Sequence, residues 1–471
     1  MKNMKLATEI EEVPIQKLIG KYALPAILSG VIAALYNIID QIFIGNIIGT
    51  EGNAATNIAF PLVTLTTAIM LLFGLGGTIN FSIALGQKNV EQAKKFVGVI
   101  LILTPITGIL VSVMTLLNLD PLLKILGSTE HNHDLAMTYV SITAFGFPLW
   151  MTTEASTKVI RADGSPKYAM ICSITGAILN CFLNPLFMSV FDMGIAGAAY
   201  ATITGQLVSF ILTIKYFFKF NTFDIKFSEI KPDLHTVKRT CILGMSPFFN
   251  QMVMMVAQIV MNNTYVFYGA QSIYGSEIPL ACVGIITKIN AIYMSIMVGI
   301  AQGAQPLFGY CYGSNKPEKV LDIYFICIKY ATIISVGVFI ILQTFPRQIL
   351  SIFGGDGELF FEFGVSYFKI FMFMTFLNGI QPISFNFFSA IGKPIKSTII
   401  SLSKQLIFLI PLVIIIPRFY GLEGILYAGP IADTAAFCLT SFFLTGEIKN
   451  LKLKCAENNK KLEDNKGVGV I

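Results

Sequence analysis

From Tyr22 to Ile48 the chain runs apolar for long enough to cross a bilayer as a helix, which takes about 20 residues. The same pattern returns about twelve times, at roughly 22–48, 55–84, 94–118, 136–160, 168–190, 195–218, 239–268, 279–309, 321–344, 362–390, 396–417 and 422–446. Polar stretches between the runs are short, apart from 219–238, which reads as a linker, and 448–471, which reads as a polar, disordered tail. The fold class expected is an all-α integral membrane protein.

Segments of the first half recur in the second. LKILGSTE at 123–130 resembles LSIFGGDG at 350–357, RADGSPK at 161–167 resembles SAIGKPIK at 389–396, and GIAGAAYA at 194–201 resembles GLEGILYA at 421–428. The shared offset of about 227 residues indicates a duplicated half. Each half holds an even number of spans, so both enter the membrane in the same sense. Such parallel repeats, with a substrate cleft between two six-helix lobes (1–218 and 239–447), are a transporter pattern.

Composition agrees with the pattern: 54% of residues are hydrophobic, 13% are charged and the mean hydropathy is +0.71. A soluble domain carries about 25% charge. The net charge of +6 does not indicate nucleic acid, because the basic residues sit in short loops between apolar runs. Lys17, Lys21, Lys88, Lys94, Lys95, Arg161, Lys167, the 219–238 segment, Lys316, Lys319, Lys393, Lys396 and the tail mark one side. Glu51, Asp120, Glu130, Asp134, Asp192, Glu277, Asp356 and Glu358 mark the other. The positive side is cytoplasmic, which places both termini there. The N-terminal stretch lacks the apolar core and cleavage site of a signal peptide. The eight cysteines show no metal-ligand spacing, and His131 and His133 read as part of a solvated loop.

Acids are expensive inside a membrane, and Asp40 is the one ionisable group of its span beyond Lys21. It is either a structural acid neutralised by packing or a cation or proton site. Tyr36 and Asn37 lie one helical turn before it. Helix rise puts Asp40 about 28 Å beyond Lys21, in the outer half of the membrane. Asn180 and Asn184, one turn apart, and Thr202 reach the same layer by the same arithmetic. Pro185 follows at once and leaves a carbonyl without its helical partner. In the second half Lys288, Lys404 and Asp433 are buried charges, and one of the lysines is expected to pair with Asp433. Phe248, Met252, Met254 and Met255 supply flexible and aromatic groups suited to lining an accommodating cavity.

IIDQIFIGNIIGTEGNAATN in the first span, GLGGTINFSIALGQKNVEQA at the end of the second, RADGSPK after the fourth and GIAQGAQPLFGYCYGSNKPEK in the eighth resemble the multidrug and toxic compound extrusion (MATE) family over nearly the whole chain. LNGI at 377–380 and SLSKQLIFLIP at 401–411 are similar to the MepA-type branch of bacterial efflux pumps. The resemblance implies a cation-driven antiporter, with Asp40 as the coupling acid and Tyr139, Asn180, Asn184 and Thr202 as its partners. Asn184 stands where relatives often carry Asp, and Met252–Met255 occupy the region of a further acid found in some relatives. With one carboxylate in the first lobe, coupling to H+ is expected over Na+.

The function expected is export of amphipathic, often cationic drugs and toxic organic compounds from the cell, by a monomer in the lipid bilayer of the cell membrane. It needs no cofactor beyond the coupling ion. A lipid-linked precursor flippase is the alternative within transport, but it usually needs a more basic cavity; a channel is a further alternative. No Ser–His set, paired acids or metal motif points to an enzyme.

Overall fold

The computed structural model describes residues 5–129, 131–225, 229–352 and 357–467. Among the described residues, twelve helices are long and apolar enough to cross a membrane. They are α1 (Ile15–Ile47), α2 (Glu51–Gly86), α3 (Val90–Leu117), α4 (His133–Ala162), α5 (Pro166–Val190), α6 (Gly194–Phe217), α7 (Leu234–Gly269), α8 (Glu277–Gly313), α9 (Pro317–Thr344), α10 (Glu358–Ala390), α11 (Pro394–Ile415) and α12 (Pro417–Lys460). A short helix over Lys5–Glu12 precedes them. The protein is a multi-pass membrane protein, with one helix for each apolar run.

The helices are arranged inside out, as a lipid surround requires. On α3 the large side chains Ile106, Ile109, Leu110, Val113 and Leu117 recur at helical spacing and stay exposed, Leu110 at 59%. A water-facing stripe of that kind is excluded in a soluble monomer. The opposite face buries Thr104, Gly108, Ser112 and Thr115. Gly108 backs onto the Pro148 backbone of α4, so the helices meet through small residues rather than through a greasy core.

The chain forms two compact units, one of Met1–Glu9, Lys21–Phe81 and Val90–Met255, the other of Ile10–Gly20, Ser82–Asn89 and Val256–Ile471. The chain passes from one unit to the other within α1 after Gly20, within α2 after Phe81 and within α7 after Met255, as well as after Glu9 and Asn89. The first unit packs Leu62 of α2 and Val140, Ala144 and Phe147 of α4 against Leu123 in the loop helix Leu119–Ile125. The second centres on Tyr265, Ile286, Phe363, Phe368, Val413 and Ile425.

Backbone geometry repeats along with the sequence. Gly164 and Gly392 both take positive φ, +87° and +73°, where the chain turns from one helix into the next. A β-carbon would be strained at both. Lys88 and Asn315, separated by the same offset of about 227 residues, also take positive φ, 59° and 55°. Residues 353–356 of the LSIFGGDG segment lie outside the described residues.

Two stretches depart from expectation. Leu234–Lys238, read as linker, is the first turn of α7. The tail, expected to be disordered, continues the helix of α12 to Gly467. Between Leu451 and Lys461 there is no Gly or Pro to stop a helix, and Lys, Leu, Glu and Ala sustain it. Leu451 is buried, Lys454 lies over the Tyr312 ring at 5.6 Å, and the Asn459 amide donates to Glu318.

Candidate functional site: an acid and a chain of amides

Close helix contact builds the site in the first unit. Gly176 of α5 and Gly205 of α6 face each other so tightly that a β-carbon on Gly205 would lie 2.6 Å from the Gly176 carbonyl oxygen. That approach lets side chains one turn further on meet across the two helices. The Asn180 amide donates to Thr202 Oγ1 at 3.1 Å, and the Thr202 hydroxyl donates to the Ala198 carbonyl at 3.0 Å. One turn along α5, the Asn184 amide donates to Asn180 Oδ1 at 2.9 Å and to Asp40 Oδ1 at 2.5 Å. Tyr36 of α1 and Tyr139 of α4 lie near Asp40 and Thr202. Six of the seven residues expected at the coupling site thus meet.

The seventh does not. Asn37 is exposed, and its amide is spent on the Ala33 carbonyl of its own helix at 2.8 Å. A residue three positions before Asp40 is near it along the helix, but its side chain leaves on the other flank of the stripe.

Asp40 makes no ion pair among the described residues; its neighbours are a neutral amide and two phenols. Asn180 and Asn184 are buried, and Asn184 Oδ1 has no hydrogen-bond partner. A buried orphan acceptor costs about 1–3 kcal/mol unless something fills it. The arrangement offers a half-buried carboxylate beside one amide oxygen without a hydrogen-bond partner.

In the second unit, Lys404 Nζ pairs with Asp433 Oδ1 at 2.7 Å. Lys288 is exposed and forms no ion pair among the described residues, so Lys404 is the partner. Lys404 lies on a stretch of α11, Ser403–Leu409, that winds as a π-helix. Asn378, quoted above only as part of a motif, completes the group. Its amide donates to Asp433 Oδ2 at 2.9 Å, and its Oδ1 accepts from Lys404 at 2.9 Å.

On α7, Phe248, Met252 and Met255 are half-buried and share a face at helical spacing. Met254 is exposed on another face, its sulfur 3.8 Å from the Asn250 amide, and does not join them. His133 is bound at both ring nitrogens, to Ser128 Oγ and to Asp120, each at 2.9 Å. Among the described residues no group of three His, Cys, Asp or Glu is placed to hold a metal. The eight cysteines are unpaired.

Sequence reasoning passed over two buried acids at the helix ends. Asp163, in the RADGSPK turn, accepts from the Tyr216 hydroxyl and the Asn221 N–H, each at 2.8 Å, and from the Thr222 N–H and hydroxyl. Burial pushes its carboxyl up to about 6, against the pull of those hydrogen bonds. Glu447 of α12 accepts from Lys393 and from Lys396, the latter at 2.9 Å, in the matching turn of the second half. The available signal was the repeated turn motif itself. Glu154 and Lys158, inside the fourth run, also went unnoticed; Lys158 Nζ donates to the Glu154 carbonyl at 3.0 Å.

Comparison with known proteins gives one answer. The MatE family profile matches residues 25–186 and 251–415, one block in each half. The multidrug export protein MepA of Staphylococcus haemolyticus is 23% identical over 435 residues, covering 92% of this chain and 94% of that protein. MepA of Staphylococcus aureus is 24% identical over 426 residues, covering 90% and 92%. An outward-facing structure of a multidrug resistance MATE family transporter of the MOP superfamily superposes with a TM-score of 0.87 at 22% identity, over 94% of this chain and 98% of that one. The match of profile, length and fold makes this chain a member of the MatE family.

Proposed function

We propose that this chain exports amphipathic, often cationic organic compounds across the cell membrane in exchange for a cation taken at Asp40, and that the cation is a proton. Both termini are then on the cytoplasmic side, as the distribution of Lys and Arg implies. The curated relatives MepA are multidrug export proteins, which supports the substrate class.

The observation that carries the ion assignment is the economy of oxygen at Asp40. A desolvated Na+ needs several oxygen ligands to replace its water. Here Asn180 Oδ1 already accepts from Asn184, and the Thr202 hydroxyl from Asn180. Beside the carboxylate, Asn184 Oδ1 is the amide oxygen left without a hydrogen-bond partner. A proton needs only the carboxylate, which has no cationic neighbour among the described residues to balance it. Neutral Asp40 no longer holds the Asn184 amide by a charge-assisted hydrogen bond. That loss frees α1 to repack, and the stretch at Pro25, which leaves the Lys21 carbonyl without its helical N–H partner, is the place for it to bend. Phe248, Met252 and Met255 form the adaptable face offered to the drug.

Ethidium efflux from proteoliposomes tests this reading, with Na+ replaced by choline under an imposed pH gradient. Transport should persist there. Its loss, with rescue by a Na+ gradient at equal pH, would transfer the site to Na+.

A further inference from the structure

The two units hold similar chemistry at positions that the repeat offset does not relate, since Asp40 corresponds to Phe267 and Asp433 to Gln206. In each an aspartate accepts from an asparagine amide: Asp40 from Asn184, Asp433 from Asn378. Asp433 alone has an ammonium against it. Its two oxygens are divided between Lys404 and Asn378, and Asn378 returns its own oxygen to Lys404, so the three side chains close a ring. Asp433 is 7% exposed and Asn378 is partly buried.

The other polar groups near Asp433 are committed elsewhere or are neutral. Tyr293 of α8 and Tyr367 of α10 lie within electrostatic reach. The Tyr293 hydroxyl is engaged with Ser335 Oγ of α9 at 2.8 Å and donates to the Thr375 carbonyl at 3.1 Å. Lys404 is therefore the sole cation at this carboxylate among the described residues. It lies on the π-helical stretch Ser403–Leu409. About 227 residues earlier, by the repeat offset, the corresponding part of α5 is ordinary helix with Ala177 near the equivalent position.

We propose that Lys404 is a built-in counter-cation: it occupies the cation position of a second, latent site at Asp433, so that only Asp40 exchanges an ion and one coupling ion moves per transport cycle. A tethered ammonium at 2.7 Å has an effective concentration that no free ion matches. Removing it leaves an uncompensated buried carboxylate, and such a group takes a proton rather than remain charged. The inference rests on the reading of Asp40 as the exchanging site, and its test is arranged to fail separately from that reading.

The experiment silences the first site with Asp40→Asn and follows protonated carboxyl groups by infrared difference spectroscopy between alkaline and acid pH in lipid. Asp40→Asn/Lys404→Met should show a carboxyl C=O band that is missing from Asp40→Asn and disappears on adding Asp433→Asn. Absence of that band from the folded Lys404→Met protein, or its presence with Lys404 intact, overturns the proposal. Should Lys404→Met not fold, the neutral pair Lys404→Met/Asp433→Asn is measured for transport with Asp40 intact. One proton per ethidium, as in the unaltered protein, supports the proposal; a changed ratio overturns it. If Asp40→Asn alone still drives uphill efflux, the Asp40 reading fails while the infrared result for Asp433 stands or falls on its own.

Discussion

Asp40 owes its proposed role to what does not touch it. An intramembrane acid with a lysine neighbour, such as Asp433, has a countercharge within the protein; Asp40, beside amides and phenols, has none among the described residues. Asp40→Asn keeps the shape and can still bond Asn184, so the protein should fold and insert normally while gradient-driven efflux disappears. Wild-type efflux from well-expressed Asp40→Asn protein would remove Asp40 from the mechanism. Asn184→Asp supplies a second carboxylate, and should shift efflux towards Na+ dependence; efflux that stays indifferent to Na+ would mean the amide oxygen is not what limits the ion. Asp163 carries a pH prediction. Its folded carboxyl titrates near 6, above the ordinary 3.8. Its contribution to stability is therefore fully present below 3.8 and lost as pH rises through about 6, at most about 3 kcal/mol. The difference in unfolding temperature between the unaltered protein and Asp163→Asn should shift in that window. A pH-independent difference would show that the Tyr216, Asn221 and Thr222 hydrogen bonds hold Asp163 ionised throughout.

At the scale of elements, the apolar runs announced each helix, because lipid demands long uninterrupted apolar segments and the chain has little freedom to hide them. Helix ends and irregular turns were not legible. Nothing in SLSKQLIFLIP signals the π-helix over Ser403–Leu409, yet Lys404 on that turn is the lysine that meets Asp433. Asn37 was misplaced because helical spacing gives neighbours on a surface, not which of them faces the interior. The α5–α6 contact shows the opposite case, where small residues plainly mark close approach. Gly205→Val should force the helices apart, costing about 1–3 kcal/mol or more in stability, and should separate Asn180 from Thr202. Efflux falling in parallel with the loss of folded protein alone, at unchanged activity per folded molecule, would show that the helix gap does not set the site.

For the whole molecule, duplication explains why two similar halves carry different charges. Turns, positive-φ positions and helix count are shared, being needed to fold either half; the charged groups differ, Asp40 having no ion pair among the described residues and Asp433 pairing with Lys404. The Lys and Arg distribution predicts that a cysteine introduced at Ser128, in a cysteine-free background, is labelled from outside intact cells; labelling only after permeabilisation would invert the topology. The central claim is that drug and proton compete through Asp40, and it is tested most directly by proton release on substrate binding. Purified protein in a weakly buffered, Na+-free solution containing a pH dye is mixed with ethidium near pH 6. The account predicts release of about one proton per bound ethidium, and none from Asp40→Asn that still binds the drug. Equal release from both proteins, or binding with no release from either, would contradict it.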